Sequence, residues 1–376
     1  MANHSTKGAV SDPSEQNEGH FGLSPDVQEL CHAAERFAQR ELVGSERAAE
    51  AAGRWGDGVR AVLRDFSLGR LDLPERLHGE GMGLLAKVAL LETLAAADSA
   101  GLPAADQPGM AAGALLACPD HRLVAEISDA CADGEAQCAL VVHDPESSTA
   151  HRIEWAPSWP PRRWVFVTEG DALSLYEVRP GAGHEDTVAL AFQASGGTSA
   201  DLDPADLVGT WPLEAGDGFT VRGRARLWLA AVAVGVAQTA FEATVAYTTE
   251  RIVFGKPVAH HQGNAFELAG AACNLHAARL AVRDAAARFD EGDPHAGFWA
   301  TQAWLEAVPA AVVVTDLGIQ LLGGHGFLVD HLAEKRFREA RMLGMLAGGH
   351  DLAQDDVAAQ VLDVPDRMDL TSVGQS

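Results

Sequence analysis

The alternation of apolar and polar residues divides the chain into a helical, a strand-like and a second helical part. Behind Ser24 and Pro25, a pair typical of a helix start, Val27, Leu30 and Phe37 recur at three- and four-residue spacing. The same spacing predicts further helices at 55–66, 84–97 and 109–117. The first third of the chain is therefore predicted to be helical, after a polar start.

Beyond about residue 135 the pattern changes to short runs rich in Val, Phe and Thr, separated by Pro and Gly. Such runs predict strands, here at 139–142, 164–168, 173–178 and 187–192. After residue 221 the pattern predicts four long helices rich in Ala and Val, at 226–251, 262–289, 297–322 and 334–346. Pro309 falls inside the third of them as a predicted kink.

These patterns together predict a mainly α protein with a central β-domain. We expect a disordered tail at 1–24, an N-terminal helical domain at 25–134 and a small β-barrel or β-sandwich at 135–220. A C-terminal four-helix bundle at 221–352 and a tail at 353–376 complete the predicted organisation.

Charge and cysteine content exclude several classes of function. The 376 residues include 28 Lys and Arg but 53 Asp and Glu, a formal net charge of −25, which argues against nucleic acid or an anionic membrane surface as a partner. The five Cys residues form no CxxC pair, so zinc and iron–sulfur sites have no support. The longest apolar run, at 227–237, is too short to span a bilayer, and residues 1–24 lack an apolar signal segment. We therefore expect a soluble cytoplasmic protein.

Two local motifs carry candidate chemistry. The first reads Arg251-Ile-Val-Phe254-Gly255-Lys256-Pro257, with Gln262 five residues later. Arg251 offers a fixed fork for a phosphate, Phe254 an aromatic face and Gln262 a neutral amide. The alternative for Arg251 is a surface arginine at a helix end.

The second motif is Gln320-Leu-Leu-Gly323-Gly324-His325-Gly326-Phe327. Gly323 and Gly324 permit positive φ and close backbone approach, so main-chain N–H groups could cradle an anionic pyrophosphate beside the Gln320 amide. The plainer alternative for this glycine cluster is a tight turn between helices.

The two motifs, in this order, resemble those of the acyl-CoA dehydrogenase family. The stretch 334–341 is similar to the Glu-Arg-x-x-Arg-Asp-Ala-Arg that follows in the family, and the resemblance covers 220–350 closely and 25–125 loosely. It implies FAD held between two subunits. Arg251, Phe254, Gln262, Gln320, Gly323 and Gly324 would then meet the adenosine and pyrophosphate of a neighbour's FAD. In the family, a carboxylate removes the α-proton of an acyl-CoA while the flavin takes hydride from the β-carbon.

The positions that the resemblance assigns to the catalytic carboxylate carry no acid. The expected Glu is Ala347, and the alternative position used by some relatives is Ala225. Arg226 matches an active-site arginine and is a candidate for substrate binding. The flavin-contacting stretch of the β-domain is degraded at 142–149, and only 164–168 resembles the family's Trp-Ile-Thr.

The missing Glu and the degraded β-domain stretch are elements that would contact a subunit's own flavin and substrate. The two motifs that would contact a neighbour's FAD are retained. This pattern favours a subunit of a heteromeric acyl-CoA dehydrogenase, paired in a dimer or tetramer with a paralogous subunit that carries the Glu. Such pairs act on bulky acyl-CoAs, for example steroid thioesters. One alternative is an enzyme repurposed for other chemistry through His325, His350 or Asp351, and another is a cofactor-free scaffold.

Basic residues concentrate in two segments, 222–256 and 335–341, which hold nine of the 28. Because the rest of the chain is acidic, we expect them to meet the phosphates of cofactor and CoA. They are Arg222, Arg224, Arg226, Arg251, Lys256, Lys335, Arg336, Arg338 and Arg341.

Overall fold

The computed structural model describes residues 22–143, 152–157, 162–178, 185–186 and 189–363. Its first part is helical. The helices are α1 (Pro25–Glu41), α2 (Glu46–Ala52), α3 (Asp57–Asp65), α4 (Leu84–Ala97), α5 (Leu102–Ala105), α6 (Ala112–Ala117) and α7 (His121–Ala132). The predicted start of α1 is confirmed, because the Ser24 hydroxyl accepts from the Val27 N–H at 3.3 Å and Pro25 occupies the first turn.

Two open sheets follow the helices. The strands are β1 (Ala136–Val142), β2 (Arg152–Ala156), β3 (Arg162–Glu169), β4 (Ala172–Val178), β5 (Glu185–Asp186), β6 (Thr198–Asp201) and β7 (Leu207–Pro212). One sheet has the order β1-β3-β4-β7, with β1 parallel to β3, and the other has the order β2-β6-β5. Apolar side chains from both sheets, including Ile153, Val165 and Ala200, form one buried cluster. Within the described residues this is a sandwich rather than a closed barrel.

Three of the four predicted strands are confirmed inside β1, β3 and β4. The fourth, predicted at 187–192, is wrong for residues 189–192, while 187 and 188 lie outside the described residues. Phe192 has φ 58° and begins a 3-10 turn, and its buried ring lies 6.1 Å from the Trp155 ring. The end of the run that suggested a strand, Ala191 and Phe192, is thus buried against side chains rather than paired in a sheet.

The second helical part contains α8 (Asp217–Glu250), α9 (Gln262–Glu291), α10 (Ala296–Leu322), α11 (Ala333–Leu343) and α12 (Gly349–Asp363). Helix α8 begins nine residues before the predicted start at 226. Gly235 does not interrupt it, because a Cβ there would lie 2.4 Å from the Glu92 carbonyl of α4, so glycine allows the two helices to pack closely. Pro309 lies inside α10, as predicted.

Helix α12 occupies the first part of the segment predicted as a C-terminal tail. Asp356 on this helix accepts from Arg222 at 2.6 Å and from Arg226 at 2.6 Å, both on α8. Residues 353–363 are therefore helical and held against the bundle.

Two segments, Asp217–Glu250 and Ala296–Phe327, are long and apolar enough to cross a membrane by length and composition. Their apolar residues are largely turned into the bundle, and residues 227–237 of α8 are buried throughout. We interpret both as core helices, which have the same composition.

Candidate functional site

The two predicted motifs meet at one end of the bundle. The Tyr247 hydroxyl on α8, one turn before Arg251, lies 3.3 Å from Nδ1 of His325, which follows Gly324. We call this surface the bundle end; it comprises residues 251–257, the start of α9, the last turn of α10 and the loop after it. It contains the six predicted cofactor residues Arg251, Phe254, Gln262, Gln320, Gly323 and Gly324, and apart from Gly323 and Gly324 each presents an exposed side chain.

The first motif forms a minimal hairpin of β8 (Ile252–Val253) and β9 (Lys256–Pro257). Its two turn residues, Phe254 and Gly255, have φ 50° and 81°, the positive values of a type I′ turn. A phenylalanine is poorly suited to this conformation, and its side chain is 94% exposed. Strain of this kind concentrates at functional sites, so the turn points to a contact made outside the chain.

The glycines of the second motif fall into two kinds. A Cβ at Gly323 (φ 60°) or Gly324 would meet nothing within 4 Å, whereas one at Gly326 would lie 2.5 Å from the Ile319 carbonyl. Gly326 is therefore required by packing of the loop on α10. Gly323 and Gly324 leave free space against the main chain, which suits the close approach of a phosphate.

Most of the concentrated basic residues are neutralised inside the molecule. Arg222 and Arg226 pair with Asp356, Arg224 with Asp72, Lys335 with Asp98 and Glu339, and Arg338 with Glu50 and Glu334. These five therefore contact carboxylates of the chain itself, and the expectation that cofactor and CoA phosphates are met in the two segments stays a prediction. Arg251 and Lys256 are exposed and make no ion pair with any described residue.

Arg226, predicted to bind substrate, is completely buried beneath α12. Its Nη1 donates to Asp356, and its guanidinium lies 6.0 Å from the centre of the Trp304 ring. Burial lowers the pKa of Arg226 despite the neighbouring Asp356 carboxylate. The structure therefore places Arg226 in an internal ion pair, where its guanidinium does not face solvent.

Ala225 and Ala347, the two positions expected to carry the catalytic Glu, line one small cavity. We call it the inner pocket; Trp155, Trp228 and Asp106 are among its walls. Its volume is about 40 Å³, room for a few water molecules, whereas ligand pockets measure roughly 300–1,000 Å³. Among the described residues, the ring system of FAD does not fit here.

A buried network of charges forms one wall of the inner pocket. Asp106 accepts from Lys87 Nζ at 2.5 Å and from Trp228 Nε1 at 2.6 Å, and Asp72 pairs with Arg224. Burial raises the pKa of Asp106; it would also raise that of Asp72, but Arg224 and Lys87 lower it below its usual range. Both oxygens of Asp106 are occupied, so the carboxylate is part of a fixed wall.

Sequence reasoning missed Trp155. The predicted counterpart of the family's flavin-stacking tryptophan was Trp164, but Trp164 is buried among apolar residues of α6 and α7. The inner pocket is instead lined by Trp155, Ala156 and Pro157. The sequence feature that could have identified Trp155 is the short apolar run around it, which ends at Pro157. Most of the predicted flavin stretch at 142–149 lies outside the described residues.

The candidates for an alternative chemistry are dispersed. His325 is at the bundle end, His350 lies with its ring 5.8 Å from that of Trp304, and Asp351 is exposed in the first turn of α12. None of the three lines the inner pocket. The structure therefore does not bring them together as an acid–base set.

Comparisons with known proteins agree with this architecture. Residues 220–362 match the family model described as acyl-CoA dehydrogenase, C-terminal domain. The chain is 25% identical over 368 residues to the probable acyl-CoA dehydrogenase FadE25 of Mycobacterium tuberculosis, covering 88% of this chain and 94% of that protein.

Two solved structures show the same fold. Butyryl-CoA dehydrogenase from Megasphaera elsdenii superposes with a TM-score of 0.77 at 18% identity, over 91% of this chain and 99% of that one. The ChsE4-ChsE5 complex from Mycobacterium tuberculosis gives 0.75 at 19% identity, over 92% of this chain and all of the matched one. The helix–sheet–bundle order, the motifs at the bundle end and the match over nearly the whole of FadE25 lead to one conclusion. The C-terminal part of the chain matches the acyl-CoA dehydrogenase family, and the chain as a whole is similar to probable acyl-CoA dehydrogenases in sequence and to solved members of that family in fold.

Proposed function

We propose that this chain is the non-catalytic subunit of a heteromeric acyl-CoA dehydrogenase. It completes the FAD site of a paralogous subunit, which carries the catalytic Glu and binds the acyl-CoA. One observation carries the proposal: the side chains suited to a neighbour's cofactor are exposed at the bundle end, while the inner pocket is small and lined by two alanines where the catalytic Glu is expected.

The residues of the bundle end have complementary roles in this proposal. Arg251 donates to the pyrophosphate, and the open main chain at Gly323 and Gly324 lets the phosphates approach. Phe254 covers an apolar part of the cofactor, and the Gln262 and Gln320 amides make neutral hydrogen bonds. FAD, when bound, supplies a hydride acceptor for the dehydrogenation, and the partner supplies the base.

The solved ChsE4-ChsE5 complex contains two differently named components, a precedent for a mixed assembly on this fold. A paralogue-containing dimer or tetramer in the cytoplasm is accordingly the assembly we propose. A homodimer would pair each bundle end with a small inner pocket that lacks the catalytic Glu. It would therefore contain no complete dehydrogenase site.

The test is co-expression with a paralogue that retains the Glu, followed by measurement of flavin absorbance and of acyl-CoA-dependent reduction of an electron acceptor. We expect the chain alone to be colourless and inactive, and the complex to be yellow and active. Stoichiometric flavin in the isolated chain would contradict the proposal. A stable but flavin-free complex would instead support the scaffold alternative.

A further inference from the structure

His261 lies between two of the elements that form the bundle end. Its Nε2–H donates to the Val253 carbonyl of the hairpin at 3.0 Å, and its ring meets the Phe254 ring edge-on, with centroids 6.5 Å apart and planes at 86°. The next residue in the chain is Gln262, the first of α9. One side chain therefore ties Phe254 and Gln262 to each other.

The hairpin needs such support because it is very small. Each strand has two residues, and isolated two-stranded hairpins are marginal in water even when longer. The positive φ of Phe254 makes this one less favourable still. Besides the strand pairing, the Val258 N–H donates to the Arg251 carbonyl at 2.8 Å, which closes the base of the hairpin but does not reach its tip.

The position of His261 in its helix also indicates a specific role. It is the N-cap residue of α9, where Ser, Thr, Asp or Asn would cap the free N–H groups. His261 makes no capping bond, and its side chain is directed to the hairpin instead. The start of α9 therefore lacks a side-chain capping hydrogen bond, while the hairpin gains a hydrogen bond from His261.

We infer that His261 is a positioning residue, which holds Phe254 and Gln262 in the arrangement that a partner's FAD requires. The inference rests on the proposed function. His261 acts through the hairpin, since its Nε2–H is engaged by the Val253 carbonyl.

The test compares four variants of the full chain, alone and in complex with the paralogue. H261A removes both contacts, H261Q keeps an N–H donor without the ring, and H261F keeps the ring without the donor. H260A is the matched control, because His260 is an exposed neighbour with no side-chain hydrogen bond to a described residue. Hydrogen exchange of amides 252–256 in the isolated chain reports on the hairpin, and FAD titration of the complex reports on the site.

We expect H261A to accelerate exchange at 252–256 and to raise the Kd for FAD about tenfold, the effect of one lost hydrogen bond, while Tm changes little. H261Q and H261F should lie between H261A and the unmodified chain, and H260A should equal the unmodified chain. Equal exchange and equal Kd in H261A and H260A would overturn the inference, as would faster exchange without a change in Kd.

Failure of the proposed function is distinguishable from failure of this inference. If the unmodified chain and the paralogue form no flavoprotein, the proposed function fails. The exchange measurement on the isolated chain then still decides whether His261 holds the hairpin, and unchanged exchange in H261A would refute it.

Discussion

The bundle end and the inner pocket use similar residue types in opposite ways. At the bundle end, Arg251 has no carboxylate partner among the described residues and Phe254 is almost fully exposed. In the interior, Asp106 of the inner pocket accepts from Lys87 and Trp228, and Arg226, next to the pocket residue Ala225 in sequence, pairs with Asp356. The family resemblance assigns both regions to cofactor and substrate sites, and the proposed function predicts that only the bundle end still faces a ligand.

Solvation explains the difference. An exposed guanidinium stays hydrated until a ligand arrives, so leaving Arg251 without a carboxylate costs little. A buried charge without a partner costs several kcal/mol. Buried charges must therefore be paired within the chain, as Asp356 on α12 does for Arg226 and Lys87 does for Asp106 beside the inner pocket.

The largest effect is expected at the buried ion pair between Arg226 and Asp356. Asp356→Ala leaves Arg226 buried without its carboxylate, so we expect the free energy of unfolding to fall by about 3–5 kcal/mol. Denaturant titration measures it. Asp355→Ala is the matched control, because Asp355 is an exposed neighbour on the same helix. Equal stability of the two variants would show that the ion pair with Asp356 is dispensable.

The next effect tests the bundle end. In the complex with the paralogue, Arg251→Ala removes a charge-assisted contact to phosphate, so the Kd for FAD should rise about 30- to 100-fold. The stability of the isolated chain should remain within about 0.5 kcal/mol, because the side chain is exposed. FAD titration and thermal melting separate the two. Arg122→Ala, at an exposed arginine of α7, serves as control, and an equal loss of FAD affinity there would argue against a specific contact.

A smaller effect is expected when the missing acid is restored. Ala347→Glu places a carboxylate at the rim of a cavity of about 40 Å³ that admits no flavin ring. We expect no flavin binding and no activity in the isolated chain, together with a loss of about 1–3 kcal/mol of stability from a poorly paired carboxylate. Flavin absorbance and denaturant titration check both points. A yellow, active A347E chain would show that only the base had been lost.

The smallest effect is expected at a partly exposed ion-pair cluster, which serves as a reference for the buried pair of Arg226 and Asp356. Glu50 on α2 accepts from Arg47 and Arg338, and although burial opposes it, these two arginines lower the pKa of its carboxyl below the usual range. A lowered pKa in the folded state stabilises the protein above the ordinary carboxyl pKa, about 4, and the gain is lost as pH falls through the folded value. Glu50→Gln should therefore cost about 0.5–1 kcal/mol at pH 7, with the difference vanishing in acid. Unfolding at several pH values measures this, and a cost that persists in acid would point to packing instead.

Much of the fold could be predicted because its signals are local. The Ser24-Pro25 start of α1, the strands in β1, β3 and β4, and the long helices of the bundle all follow from spacing within one element. The prediction failed near Phe192, whose ring is buried against Trp155, a residue distant in sequence. It also missed the first nine residues of α8, which begins at Asp217 rather than at the predicted residue 226.

The candidate site divides in the same way. Motif order located the six residues of the bundle end, and counting from Arg338 located Ala347. Trp155 was missed because its role depends on which strand faces the bundle. The family resemblance led us to expect that Arg226 faces a substrate. Its ion pair with Asp356 was not foreseen, because that carboxylate lies 130 positions away in the sequence.

The sequence by itself therefore determined the element order, the family motifs and the absence of an acid at positions 225 and 347, since these are properties of residue type and spacing. Only the tertiary structure decided which charges remain available. It paired Arg226 with Asp356 and Asp106 with Lys87 inside the molecule, and it left Arg251 and Phe254 exposed. The physical reason is that burial and ion pairing depend on contacts between distant parts of the chain, whereas helix and turn signals act over a few residues.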